Sequence, residues 1–205
     1  GRWALKLRAV KAGGPFEFTV SSKSGTVRFK NVLVGEVWVC SGQSNMQWPM
    51  SASFESATDI ASATNALIHL LPVPRVKSDQ PSVVMKTAWQ VCSPDAVKSF
   101  SAVGYYFGRA LQQARQVPVG LIESDWGGSP AEVWMSREAL EVHPRYQNEI
   151  LDAYPAAEKN YRETLAIWEK EKAEAGQTRR EFKKAGPRSP WKPTELNNGM
   201  ISPRL

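Results

Sequence analysis

A hydroxyl flanked by two side-chain amides follows a run of alternating apolar residues: Gly35-Glu36-Val37-Trp38-Val39-Cys40-Ser41-Gly42-Gln43-Ser44-Asn45-Met46. Val37 and Val39 alternate with Trp38 and the run breaks at Ser41-Gly42, the pattern of a buried strand that ends in a tight turn. Ser44 then stands just beyond a strand's carboxyl end, where open α/β sheets bind their ligands. A serine in that place is a candidate nucleophile; it needs a base to take its proton and donors for the oxyanion that its attack creates. Donors are expected at Trp126-Gly127-Gly128-Ser129-Pro130-Ala131-Glu132. There a second apolar strand, Val119 to Ile122, runs into a Gly-Gly turn and a helix start, with Ser129 and Glu132 at capping-box spacing and Pro130 at the first helical position. Backbone N–H groups gathered at such a place can receive an anion.

The base is harder to find. The chain has two histidines. His69 lies inside the apolar run Leu67 to Leu71, as a strand side chain, and His143, before Pro144, reads as closing a helix where a cation suits the dipole. Neither has an Asp three residues earlier. No cluster of His, Cys, Asp or Glu has ligand spacing, so no metal or other cofactor is expected. Met46 occupies the position of the second glycine in the nucleophile elbow of α/β-hydrolases, which separates Ser44 from that arrangement.

Composition narrows the classes. The chain has 205 residues, is 42% hydrophobic and carries eight tryptophans, which argues for a globular fold. No apolar run approaches the roughly 18 residues of a membrane span, and no signal peptide begins at Gly1. The net charge of +6 invites a nucleic-acid reading, but the excess sits at the edges, in Arg2, Lys6, Arg8 and Lys11 and in Arg179, Arg180, Lys183, Lys184 and Arg188. Acidic residues outnumber basic ones between Asn31 and Glu149, so no basic groove surrounds Ser44 and no nucleic-acid partner is expected. Cys40 and Cys92 read as buried free thiols.

The elements that must position these residues change in character along the chain. Three short alternating runs, Trp3 to Leu7, Phe16 to Val20 and Val27 to Phe29, predict the end of a β-sandwich domain over 1–30. From Asn31 strands alternate with helical stretches, the pattern of a parallel sheet with helices on both faces. A helix is predicted from Ser56 to Ala66, a strand from Leu67 to Leu71, and an amphipathic helix from Ser99 to Ala114 on which Gly104 and Gly108 permit close approach to the sheet. Over about 150–192, Tyr161, Leu165, Trp168, Ala175 and Phe182 recur at helical spacing, with Glu158 and Arg162 one turn apart. That stretch predicts one long charged helix, inserted in the fold and ended by Gly186-Pro187.

Four stretches together resemble the sialate O-acetylesterase family of the SGNH (GDSL-like) hydrolases. They are Gly42-Gln43-Ser44-Asn45-Met46, Phe100 to Phe107, Val119 to Pro130, and Asn198-Gly199-Met200-Ile201-Ser202-Pro203, in the family's order. The resemblance implies a three-layer α/β/α, flavodoxin-like parallel sheet, incomplete here, with 31–205 the N-terminal part of the hydrolase domain. It implies a serine esterase that releases acetate from sialate-type or other O-acetylated carbohydrates, in a periplasmic or secreted setting. Ser44 would be the nucleophile and lend its own N–H to the oxyanion hole, with Gly127 or Gly128 supplying a second N–H. Gln43, Asn45, Trp48 and Trp126 lie close enough to the two turns to bind substrate, the indoles by stacking on sugar rings. The family's Asn block and Asp-x-x-His block are expected beyond Leu205, so the catalytic Asp and His would come from the remainder of the same polypeptide or from a second chain. Asn197 and Asn198 read as turn residues rather than oxyanion donors. The alternative is a catalytically incomplete carbohydrate-binding or scaffold protein with the same fold.

Overall fold

In the computed structural model, which describes residues 5–78 and 86–196, regular structure begins with a hairpin. Strands β1 (Gly13–Ser22) and β2 (Gly25–Val34) pair antiparallel across a turn at Lys23-Ser24, with irregular register near Gly13 and Phe16. β2 continues through residue 30 to Val34. Residues 5–7, part of the first expected strand, have no regular structure, and the Asn198 to Pro203 motif with Asn197 lies outside the described residues.

A second sheet holds β3 (Glu36–Gly42), β4 (Asn65–Pro72), β5 (Gln90–Cys92) and β6 (Val119–Asp125) in the order β3-β6-β4-β5. β3 and β4 each run parallel to β6, so these three end together, at Gly42, Pro72 and Asp125. The α/β class is as expected, but the sheet is mixed: the three-residue edge strand β5 is antiparallel to β4. Helix α4 (Ala102–Arg115) covers one face of this sheet. Its two glycines make the approach possible, since a Cβ on Gly108 would lie 2.5 Å from Leu121 Cδ1 and one on Gly104 would lie 3.0 Å from Cys40 Sγ. Side chains alternate across a strand, so Trp38 and Cys40 turn toward α4, Trp38 meeting Phe107 edge to face at 5.1 Å. Cys40 joins Met50, Ile68, Leu70, Phe100 and Leu121 in the core, and each large side chain fully buried there contributes about 1.5–3 kcal/mol. Val37 and Val39 point the other way and are 62% and 49% exposed.

Short helices fill the connections. α1 (Ser44–Gln47) follows β3, a 3-10 turn spans Met50–Ala52, and α2 (Ser56–Ala61) precedes β4. α2 stops short of the expected Ala66 because Asn65 Oδ1 accepts the Leu67 N–H, an alternative to helix that starts β4 two residues early. The helix expected from Ser99 to Ala114 is α4, which starts three residues later under a Ser101 cap, and a short helix that was not expected, α3 (Pro94–Lys98), capped by Ser93, precedes it.

Among the described residues, 76–78 and 129–196 belong to a second compact unit, separate from 5–75 with 86–128. In it Pro130 takes an extended backbone and caps a 3-10 turn, Ala131–Val133, so the Ser129–Glu132 capping box does not form. The Ser129 hydroxyl accepts the Trp134 indole N–H instead, at 2.9 Å. α5 (Arg137–Glu141) is followed by α6 (Pro144–Tyr146), and His143 begins α6 rather than closing a helix. The residue before proline is driven to extended geometry, and His143 Nδ1 accepts the Arg145 N–H. After a π turn, Gln147–Leu151, the helix α7 (Tyr154–Gln177) carries the Glu158–Arg162 pair at 2.6 Å. It ends well before Gly186: Arg179 adopts a left-handed backbone, and Arg180 N–H returns to Ala175 O. The chain then folds back, bringing Phe182 against Trp168 and the Lys184 carbonyl to the Trp168 N–H.

Candidate functional site

Two turns meet at the carboxyl ends of β3 and β6. Gly42 is the register partner of Asp125, and the Trp126 N–H bonds the Gly42 carbonyl at 3.1 Å, so the chain leaving one strand is tied to the chain leaving the other. Ser44 opens α1 with its side chain exposed, and Gln43 precedes it at the N-cap, its carbonyl accepting the Gln47 N–H. Gly127 packs directly against this turn. A Cβ there would lie 3.3 Å from Ser44 Cα and 3.4 Å from Ser44 Cβ, so glycine is what lets the second backbone come so close. Gly128 has a different part: its φ of +78° favours glycine, and a Cβ on it would meet nothing within 4 Å. The geometry thus separates two residues that the sequence left equivalent.

A layer below fixes the Ser44 turn. Met50 N–H bonds the Phe100 carbonyl, Ala102 N–H bonds the Trp48 carbonyl, and the buried Ser101 hydroxyl donates to Met46 Sδ while accepting the Gly104 N–H. Trp48 is half exposed, with its indole N–H on the Ala52 carbonyl, and Trp126 is half-buried. Asn45 is exposed on α1.

Sequence reasoning missed three contributors. Gln47, one turn after Ser44, places its side-chain oxygen 2.5 Å from the Gly127 N–H. Arg75, after β4, grips the end of β6 by donating to the Asp125 carbonyl at 3.0 Å and to Asp125 Oδ1 at 2.6 Å. Glu123 lies 4.0 Å from the same guanidinium, buried two residues before Asp125. The alternation of Glu123 and Asp125 on one strand face was the available signal, as was the i,i+3 spacing of Ser44 and Gln47. Burial, with the Asp125 charge beside it and Arg75 opposing, pushes the Glu123 carboxyl up to about 7. Burial next to both acids raises the Cys40 thiol to about 11, which leaves it protonated and inert, and Cys40 and Cys92 are both free.

His69 is not brought to Ser44. His69 pairs in register with Gly120 and Val91, and Gly120 is five residues before Asp125 on β6, about 16 Å along the strand. Its Nε2 is buried without a partner, and burial lowers its pKa. His143 belongs to the other compact unit, where it caps α6. Among the described residues no three His, Cys, Asp or Glu side chains converge as metal ligands do, and no helix is long and apolar enough to cross a membrane.

No family model matches the chain. It is 35% identical over 153 residues to the sialate O-acetylesterase of Homo sapiens, covering 68% of this chain and 29% of that protein. The sialate O-acetylesterase of Rattus norvegicus is 34% identical over 155 residues, with 68% and 28% covered. Among solved structures, a carbohydrate acetylesterase from Xanthomonas citri superposes with a TM-score of 0.63 at 36% identity, over 66% of this chain and 31% of that one. The matched stretch therefore spans less than a third of the length of these relatives. Sequence and fold agree over that stretch, and there the chain belongs to the sialate O-acetylesterase family.

Proposed function

We propose that this chain carries the nucleophile-bearing part of a carbohydrate O-acetylesterase of the sialate type. Ser44 Oγ attacks the acetyl carbonyl carbon, and the resulting oxyanion is received by the backbone N–H groups of Ser44 and Gly127. The proton from Oγ passes to a histidine and from it to the departing sugar hydroxyl; water activated by the same base then releases acetate from the acetyl-serine. The Asp and His are supplied by the remainder of a longer polypeptide or by a second chain, with 31–205 forming the first part of the hydrolase domain. Trp48 and Trp126 offer indole surface to a sugar ring, and Gln43 and Asn45 offer amides to its hydroxyls. The setting is periplasmic or secreted; secretion of the full-length protein would test this, and retention in the cytosol would end it.

The observation that supports this reading is the packing of Gly127 against Ser44 where adjacent parallel strands end. In the full-length protein Ser44→Ala should abolish acetate release from an O-acetylated sugar while the thermal unfolding curve stays in place. Retained turnover would refute the assignment. The distance of His69 from the site favours a second reading, a carbohydrate-binding or scaffold protein without a working triad. Treating the full-length protein with a fluorophosphonate separates the two, because only an activated serine is labelled at Ser44.

A further inference from the structure

The Gly127 N–H that the proposed mechanism needs is already in use. Gln47 Oε1 accepts it at 2.5 Å, and because an N–H donates, the amide oxygen and not the amide nitrogen must face Gly127. Gln47 reaches it from the end of the single turn that Ser44 begins, so donor, acceptor and hydroxyl sit on two adjacent backbones. Gln47 is half-buried.

We propose that Gln47 is an internal placeholder for the substrate: its amide oxygen occupies the Gly127 N–H at rest and is displaced when an ester oxygen acquires negative charge there. The inference rests on the esterase reading and adds a control to it. An amide carbonyl is a neutral trigonal oxygen, and a ground-state ester carbonyl is a weaker acceptor of the same kind, so the resting contact competes well against unreacted ester. A tetrahedral oxyanion makes charge-assisted bonds roughly twice as strong as neutral ones, and wins. The contact thereby keeps a part-buried donor satisfied before substrate binds, limiting the cost of an orphaned N–H, and withholds it from carbonyls that are not being attacked. Enzymes gain rate only from interactions stronger in the transition state than before it, so breaking the resting contact offsets part of what the donor gives the oxyanion, and the contact restrains the rate.

The test uses the full-length protein with Gln47→Met, which keeps the volume and removes the amide acceptor, and Gln47→Ala as a second variant. The readout is the second-order rate of Ser44 labelling by a fluorophosphonate, together with kcat/KM for an acetyl ester. Losing one neutral hydrogen bond to the resting donor should speed labelling by about fivefold and raise kcat/KM by a similar factor. Slower labelling in both folded variants would make Gln47 a brace that positions Gly127 and would overturn displacement; unchanged rates would overturn it equally. If wild-type protein with an intact fold is not labelled at all, the esterase reading fails first, which is distinct from labelling that ignores Gln47.

Discussion

Burial and the charge of Asp125 hold the Glu123 carboxyl near 7, against an ordinary value of 4.5, with Arg75 pulling the other way. The folded protein therefore keeps a proton that the unfolded chain has already released between about pH 4.5 and 7. Stability falls as pH rises through that window and is flat above it, a loss on the order of 3 kcal/mol for a shift of this size. Glu123→Gln removes the titration while keeping the shape. Its melting temperature should exceed that of wild type at pH 8 and match it near pH 4; an equal difference at both values would contradict the buried proton. Arg75 and Gln47 explain why so much of the site was hidden in the sequence. Ser44 and the Gly-Gly turn announce themselves by type and by neighbours in the chain. Arg75 and Gln47 act through contacts 50 and 80 residues away, which no local pattern records.

At the level of elements, legibility followed periodicity. The strands that carry the site were readable because alternation and a Gly stop are strong signals over seven residues, and α4 because Phe100, Val103, Phe107 and Leu111 repeat at helical spacing. α3 and β5, five and three residues long, have too few residues to show a period. Helix ends were misplaced where a side chain took another partner: Asn65 Oδ1 accepts the Leu67 N–H, and the Ser129 hydroxyl accepts the Trp134 indole N–H instead of capping a helix. The glycines of α4 were read as a close-approach surface, and the packing makes that quantitative. A methyl group on Gly108 would meet three atoms of Leu121 between 2.5 and 3.0 Å, with β6 rigid behind them. Gly108→Ala gains helix propensity of about 1 kcal/mol, but overpacking costs about 1–3 kcal/mol, so the helix should be pushed off the sheet. A net loss of stability in urea is expected; a gain would mean that Leu121 has room to turn aside. Gly176, on α7 with nothing within 4 Å of the added methyl, is the control, and Gly176→Ala should stabilise.

For the whole molecule, the decisive feature is β3. It is the strand before Ser44, yet among the described residues β6 is the one strand it pairs with, and Val37, Trp38 and Val39 are 62%, 44% and 49% exposed. An exposed apolar strand with one unpaired edge is a template for another strand. Relatives that extend well beyond the matched stretch have chain available to pair there. When the 205 residues are all that is present, another copy is the available strand. Sedimentation velocity over a range of concentrations should then show association that grows with concentration. Val37→Lys with Val39→Lys should suppress it, because a charge on a strand exposed in this way opposes pairing and stacking alike. A monomer at every concentration, or association indifferent to both lysines, would mean that β3 is already protected.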